Sequence, residues 1–181
     1  SLKSMKAHGK HIHLNLYIVP SININHYIVY LFGLYIFSSI CTFLNGSSKW
    51  LTFSKKELEK EIIRQTDKDG WDYEASTAYH KLVTEMFLYS YIIAQYFNQP
   101  FSNTYVNHLK KMLKVMNIIE KPDHTIPQIG DNDSGFSLVF DFDNDNLNIS
   151  NLSHLSQRNN LITLEDQNRG FFTYEDAGFY L

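Results

Sequence analysis

The sequence is poor in cysteine and in excess charge of either sign. Cys41 is the only cysteine among 181 residues, so no internal disulfide can form and redox chemistry does not indicate a compartment. It lies in an apolar stretch and is predicted to be a small core residue. The formal net charge is −3, far from the strong basic excess of a typical nucleic-acid-binding protein. The sequence therefore predicts no nucleic-acid partner.

The charge is unevenly distributed along the chain. Residues 1–121 carry 14 Lys and Arg against 9 Asp and Glu, whereas residues 122–181 carry 2 against 10. The first part is able to attract an anionic ligand and the second to repel it, although ordinary solvated faces explain the asymmetry as well.

Two patterns imitate metal sites. Three aspartates resemble the start of an EF-hand loop, but Asn146 replaces the loop glycine and Leu152 the bidentate glutamate; they are Asp141, Asp143 and Asp145. His11 and His13 alternate as they would on one face of a strand, yet no acidic or cysteine partner follows at a usable spacing. We interpret these histidines as part of a solvent-facing stretch. The sequence predicts no metal and no other cofactor.

Residues 27–44 form an 18-residue run without a formal charge, which is long enough for a transmembrane candidate. The run contains Gly33, polar Ser and Thr residues and three tyrosines, and no basic cluster precedes it. A helix buried on all sides fits this composition better.

Helical spacing continues beyond this run. It predicts an amphipathic outer helix over residues 50–65, with Leu58, Ile62 and Ile63 inward, and a long helix from Ser76 or Thr77 to about residue 97. A further helix is expected over residues 104–119. Short links between such helices indicate antiparallel hairpins. Beyond Pro122 the helical period is lost, and three segments favour strands, namely residues 136–142, 161–164 and 170–181. The polar residues 141–160 between them read as a loop or linker.

Two segments carry most of the chemical information. Residues 69–80, D-G-W-D-Y-E-A-S-T-A-Y-H, place an aromatic and acidic loop before a capped helix, so that Tyr79 and His80 fall in its first turn. Residues 126–135, I-P-Q-I-G-D-N-D-S-G, form a dense turn. Together with N-I-N-H-Y-I-V-Y-L-F-G-L-Y at residues 23–35, they resemble the heparinase II/III-like polysaccharide lyases.

The resemblance implies a mainly α fold. Residues 1–140 would form part of an (α/α) toroid of antiparallel helical hairpins, residues 141–160 a polar linker, and residues 161–181 the start of a β-sandwich domain. D-A-G-F-Y-L at residues 176–181 is similar to the opening strand of that domain. We therefore expect the chain to be the middle part of a family member, and the family favours a periplasmic or cell-envelope location.

The chemistry that the resemblance implies is β-elimination next to a uronic acid in an acidic polysaccharide. Asn25 and His26 match the residues that neutralise the substrate carboxylate, and Tyr79 matches the catalytic tyrosine that protonates the leaving oxygen and in some members takes the α proton. Four further residues are candidates for binding substrate or orienting the site: Glu74, His80, Asp131 and Asp133.

The sequence also departs from the family. Tyr30 stands where a second Asn is common, and Phe136 stands where a basic residue usually follows the acidic turn. A further family histidine, which can act as a base, belongs to the β-sandwich beyond residue 181. The sequence therefore leaves one anion contact, and the activity of this segment by itself, open.

Other interpretations remain open at this stage. Asn25 can serve as a helix cap, His26 as a partly buried histidine and Tyr79 as one of twelve packing tyrosines. The alternative function is a noncatalytic carbohydrate-binding or envelope polysaccharide-assembly protein on the same scaffold. A membrane protein anchored by residues 27–44 is the third interpretation. The particular polysaccharide and its linkage are not determined by these motifs.

Overall fold

The computed structural model describes residues 1–16, 25–133, 135, 137, 155–159 and 161. Five named α-helices run through this part of the chain: α1 Leu2–Leu14, α2 Asn25–Ile40, α3 Ser47–Gln65, α4 Thr77–Tyr96 and α5 Asn103–Ile119. The described residues contain no named β-strand, and their one β-bridge joins Thr66 to Asp72. The prediction of a mainly α fold is thus confirmed, whereas the predicted strands fall almost entirely outside the described residues.

The helices form two antiparallel pairs. In the first pair, Ser47 at the start of α3 donates from Oγ to the Ser38 carbonyl near the end of α2 at 2.9 Å, and Tyr27 near the start of α2 donates to Glu57. In the second pair, Tyr105 of α5 donates from its hydroxyl to the Phe87 carbonyl of α4 at 2.8 Å. α2 also packs against α4, which joins the pairs. This arrangement agrees with stacked helical hairpins.

The core lies between the two pairs and is rich in aromatic rings. Phe101 stacks on Tyr105 with ring centroids 4.0 Å apart, and Tyr35 approaches Phe101 at 5.7 Å. Leu161 belongs to the same buried cluster, although it lies far along the chain. Cys41 is buried, as the sequence predicts.

The apolar helix α2 belongs to this core. Its inward residues include Ile28, Leu31 and Leu34, all fully buried, and the hydroxyl of Ser38 donates back to the Leu34 carbonyl at 2.6 Å. Internal bonding of this kind lets a polar side chain lie in an apolar environment. In the part of the chain that the structure describes, no helix has the length and hydropathy needed to cross a membrane.

The prediction for the first residues was wrong. The strand-like alternation of His11 and His13 falls within α1, a helix capped by the Ser1 hydroxyl. Gly9 is buried against the rings of two other helices. A Cβ at this position would lie only 2.6 Å from Phe37 and 2.7 Å from Trp50. Such close helix approach requires glycine, and this tertiary contact does not show in a local pattern.

Helix boundaries and faces also differ in detail. α2 ends at Ile40 because a turn follows it, and α3 begins at Ser47, three residues earlier than expected. Ile63 is 49% exposed, so its predicted inward orientation was wrong. Inside the predicted linker, residues 155–158 form a helical turn. The proposed domain boundaries themselves stay predictions.

Candidate functional site

The site is built on the first turn of α4. Ser76 is the N-cap, and its hydroxyl accepts the Tyr79 backbone N–H at 3.4 Å, as expected for a serine before a helix. The same hydroxyl donates to the Asp131 carbonyl. The cap therefore joins the two segments that the sequence singled out, although about fifty residues separate them.

The segment after Ile126 runs alongside the start of α4 and is hydrogen-bonded to it. Thr77 exchanges hydrogen bonds with Ile129, since its N–H donates to the Ile129 carbonyl and its hydroxyl accepts the Ile129 N–H, both at 3.0 Å. Gly130 has φ +76°, and a Cβ at this position would lie 3.1 Å from the Ser76 Cα. Only glycine adopts this backbone easily at such close range. The dense turn is thus fixed against the helix start.

The contact continues down the helix. A Cβ on Gly135 would lie 3.1 Å from Leu82, and the Ser137 hydroxyl donates to Glu85 at 2.7 Å. Glu85 in turn pairs with Lys81 at 2.5 Å, and both side chains are almost fully buried. A buried pair of this kind requires partners for its remaining atoms, and Ser137 supplies one. The sequence gives no sign of this cluster, because the i,i+4 spacing of Lys81 and Glu85 is common on solvated helices and Ser137 lies 52 residues beyond Glu85.

Tyr79 is half-buried and points toward the dense turn. Its hydroxyl donates to the Asp133 carboxylate. This hydrogen bond, with smaller contributions from desolvation and from the charges of Asp133, Glu74 and Asp131, raises the pKa of Tyr79 to about 12. The phenol is therefore protonated at neutral pH, and the surrounding carboxylates oppose formation of a phenolate.

Asn25 and Glu74 are joined by hydrogen bonds. The Glu74 carboxylate accepts the Asn25 backbone N–H at 3.2 Å and its side-chain Nδ2 at 3.3 Å. Asn25 is the first residue of α2, so the carboxylate lies at a helix N-terminus, where negative charge is favoured. His26 follows it and is exposed. The charge of Glu74 also contributes to raising the pKa of Tyr79, whose hydroxyl donates to Asp133.

His80 lies on the opposite side of the turn, fully buried. Its Nδ1 accepts the Asp72 backbone N–H at 3.1 Å, and its Nε2 lies 3.1 Å from the Met112 carbonyl, to which it must donate. Desolvation lowers the pKa of His80 to about 4, so the ring is neutral. His80 therefore connects the acidic loop to α5 and has no contact with solvent.

Asp72 is a residue of this buried side that the sequence analysis missed. It is 3% exposed, and its Oδ2 accepts the Glu74 backbone N–H at 3.2 Å. Among the described residues its Oδ1 has no hydrogen-bond partner. Burial raises the pKa of Asp72 to about 7. An aspartate in an exposed-looking loop sequence gives no signal of such burial.

The described residues contain no group of three or more His, Cys, Asp or Glu side chains arranged to hold a metal ion. The site thus consists of a protonated phenol, donors at a helix N-terminus and three carboxylates. This combination places a proton donor beside carboxylates, one of which is bound by the donors of Asn25.

Comparisons with known proteins decide the family. A family model described as the heparinase II/III N-terminus matches residues 1–156. The chain belongs to the heparinase II/III family. A protein named heparin-sulfate lyase, from Pedobacter heparinus, is 31% identical over 87 residues. These residues are 47% of this chain and 13% of that protein, so the chain spans much less than two thirds of its relative. No solved structure matches the chain.

Membership in the heparinase II/III family confirms the resemblance stated from the motifs. It also relates the chain to a protein that is itself named a heparin-sulfate lyase. The helical architecture agrees with the N-terminal domain that the family match describes.

Proposed function

We propose that this heparinase II/III family member is a polysaccharide lyase that cleaves a uronic-acid-containing polysaccharide by β-elimination. The observation that carries the proposal is the Tyr79 hydroxyl in the first turn of α4, which is protonated and donates to Asp133 of a second motif. β-Elimination needs a positioned acid for the leaving glycosidic oxygen. A phenol that is fully protonated at neutral pH suits this role.

Tyr79 is assigned the acid role alone. Three carboxylates raise its pKa, so a phenolate formed here would face their negative charge. We therefore assign removal of the α proton to a group other than Tyr79. Asp133 orients the hydroxyl, and Asp131 holds the turn through the contact between its carbonyl and Ser76.

Asn25 is assigned to the substrate carboxylate, which must be neutralised before the adjacent C–H becomes acidic enough to lose its proton. In the structure its two donors are directed at Glu74. We propose that the uronate carboxylate exchanges with that of Glu74 on these donors, with the exposed His26 beside them as a further donor. Glu74 thereby occupies the position of the substrate anion in the absence of sugar.

His80 is assigned a positioning role. It is buried and joins the Asp72 backbone to α5, and Asp72 in turn binds the Glu74 backbone N–H. His80 therefore acts on the carboxylate exchange through this loop and does not contact sugar directly.

The test is the ultraviolet absorbance of the unsaturated uronate that β-elimination forms. A panel of acidic polysaccharides is offered to the chain and to any longer natural protein that contains it. We expect Tyr79→Phe to lower kcat by about 10²–10⁴-fold, the usual contribution of a general acid, while sugar binding persists. Tyr96→Phe is the matched control, because Tyr96 lies at the other end of α4 and is 81% exposed.

Two results would contradict the proposal. Equal turnover by Tyr79→Phe and wild type would remove Tyr79 from the chemistry. Binding of an acidic polysaccharide without any absorbance change, by a folded protein and across the whole panel, would favour the noncatalytic carbohydrate-binding scaffold instead.

A further inference from the structure

The first 56 residues contain six lysines and no aspartate or glutamate. Glu57 is the first acidic residue of the chain. This one-sided charge falls on α1 and on the first half of α3, two helices that the sequence separates by the whole of α2. What the structure adds is how these two helices lie against each other.

α1 runs parallel to α3 and is held close to it. Gly9 of α1 faces Trp50 of α3, and one turn later His13 meets Phe53, with ring centroids 5.1 Å apart. Both contacts advance along the two helices in the same direction. Because the contact at Gly9 leaves no space for even a Cβ, the relative position of the two helices is fixed.

Four exposed lysines border this contact and form what we call the basic ridge: Lys6, Lys10, Lys49 and Lys56. Lys6 and Lys10 lie seven and three residues before His13, on the same side of α1. Lys49 and Lys56 lie four residues before and three after Phe53, on the same side of α3. The parallel arrangement therefore brings the lysines of both helices to one seam.

The charges of the basic ridge are not neutralised within the described part of the chain, where none of its four lysines has an ion-pair or hydrogen-bond partner. Other lysines contrast with them. Lys55 donates to the Gln99 and Pro100 carbonyls, and Lys60 pairs with Glu57 at 2.5 Å. Within the described residues the ridge is thus an unpaired cationic surface.

The end of the ridge near Gly9 is far from Asn25, whereas its Lys56 end lies beside Glu57, which accepts a hydrogen bond from Tyr27 near the start of α2. Phe37, which contacts Gly9, lies twelve residues along α2 from Asn25, and this spacing corresponds to about 18 Å along the helix axis. A ligand that binds the Gly9 end of the ridge therefore need not enter the candidate active site, whereas a long chain is able to reach both.

The chemistry of the ridge favours one class of ligand. Each exposed lysine attracts an anion only weakly in water, so useful affinity needs a polymer with repeated negative charges. Single-stranded nucleic acid also needs exposed aromatic faces for base stacking. Here Trp50 is 7% exposed and Phe53 is half-buried beside His13, so the two described α3 aromatics at the ridge are engaged in helix packing.

We propose that the basic ridge is a second binding surface for an acidic polysaccharide. The proposal rests on the proposed function in naming the same ligand class. The residues of the ridge, however, are distinct from Tyr79 and its partners. The effect of the ridge is to retain a charged polymer chain near the protein while other parts of that chain reach the catalytic side.

The test compares two double variants that each remove two exposed lysines without a partner among the described residues. Lys10→Gln with Lys49→Gln alters the ridge, and Lys110→Gln with Lys114→Gln alters α5, where both lysines are exposed. Affinity for size-defined heparin and alginate oligosaccharides is measured by calorimetry over a series of salt concentrations. We expect the ridge variant to lose about tenfold in affinity at low salt and to show a shallower salt dependence, because fewer counterions are released. The α5 variant should change much less.

Three results would overturn the proposal: equal losses in both variants, equal binding of neutral dextran, or tighter binding of a single-stranded DNA oligonucleotide that depends on the same two lysines. Tyr79→Phe separates this proposal from the lyase assignment. Ridge-dependent binding without turnover in wild type would refute the lyase and leave the ridge in place. Turnover that depends on Tyr79, with binding unaffected by the ridge variant, would do the reverse.

Discussion

Tyr79 and His80 are adjacent in sequence, yet they belong to two different regions of the same helical turn. The exposed region contains Tyr79 with Asp133 and Glu74, where charges lie in contact with solvent. The buried region contains His80 with Asp72, where both titratable groups are desolvated and held toward their neutral forms. The difference teaches that the residues proposed for chemistry and the residues that support them lie on the two sides of one loop, which carries Asp72 inward and Glu74 outward.

The largest effect that would sharpen this comparison is on stability. His80→Ala removes the acceptor for the Asp72 N–H and the donor to the Met112 carbonyl, and it leaves a cavity. We expect a loss of about 2–4 kcal/mol in the free energy of unfolding, measured by urea denaturation. Tyr79→Phe, one residue away, should change it by less than about 0.5 kcal/mol, as for other surface substitutions. Similar losses in both variants would abolish the proposed division.

The second prediction concerns pH. The folded-state pKa of Asp72, about 7, lies above its ordinary value of 3.8, so the folded protein holds a proton between these values that the unfolded chain releases. The contribution of Asp72 to the free energy of unfolding is therefore fully present below about pH 4 and is lost as pH rises toward 7. Asp72→Asn should remove that loss.

The measurement is the unfolding free energy of wild type and Asp72→Asn from pH 4 to 7. The difference, variant minus wild type, should rise with pH by up to about 1.4 kcal/mol per unit. His80 makes the unfolding free energy rise with pH instead, since its pKa is lowered to about 4. Because both proteins contain His80, its effect cancels in the difference. Two parallel stability curves would show that Asp72 is not held protonated by burial.

The third prediction is smaller and concerns the connection between the dense turn and α4. Gly130→Ala places a Cβ 3.1 Å from Ser76 at φ +76°, which should cost about 1–2 kcal/mol. The turn then holds Asp133 less firmly, and the pKa of Tyr79 should fall from about 12 toward 10. Phenolate absorbance, with Tyr79→Phe subtracted, measures that change.

Gly33→Ala is the control, since nothing lies within 4 Å of a Cβ at this helical position. It should raise stability by about 0.5–1 kcal/mol and leave the tyrosine titration unchanged. A Gly130→Ala protein with the stability and titration of wild type would show that the turn does not depend on glycine.

Sequence reasoning found the exposed region better than the buried one. Ser76, Tyr79 and the dense turn were predictable because capping and turn formation depend on neighbours in sequence. Helices α3 to α5 were predictable from hydrophobic spacing for the same reason, and α2 from its long uncharged apolar run. Asp72 and Glu85 were not, because their environments depend on residues distant in sequence: Asp72 on the link through His80 to α5, and Glu85 on Ser137. The basic ridge was missed likewise, since it arises only when α1 packs beside α3.

The smallest expected effect tests whether Glu74 stands in for the substrate anion. Glu74→Gln replaces a carboxylate at the N-terminus of α2 with a neutral amide, so it should lower stability by about 0.3–1 kcal/mol. It also weakens the internal competitor for the Asn25 donors, and KM for an acidic polysaccharide should therefore fall by about two- to fivefold. Glu59→Gln is the matched control, because Glu59 accepts the Ser102 N–H at 2.8 Å just before α5. It should reduce stability similarly without a change in KM. A rise in KM for Glu74→Gln would instead mean that Glu74 binds the sugar directly, and the carboxylate exchange would be refuted.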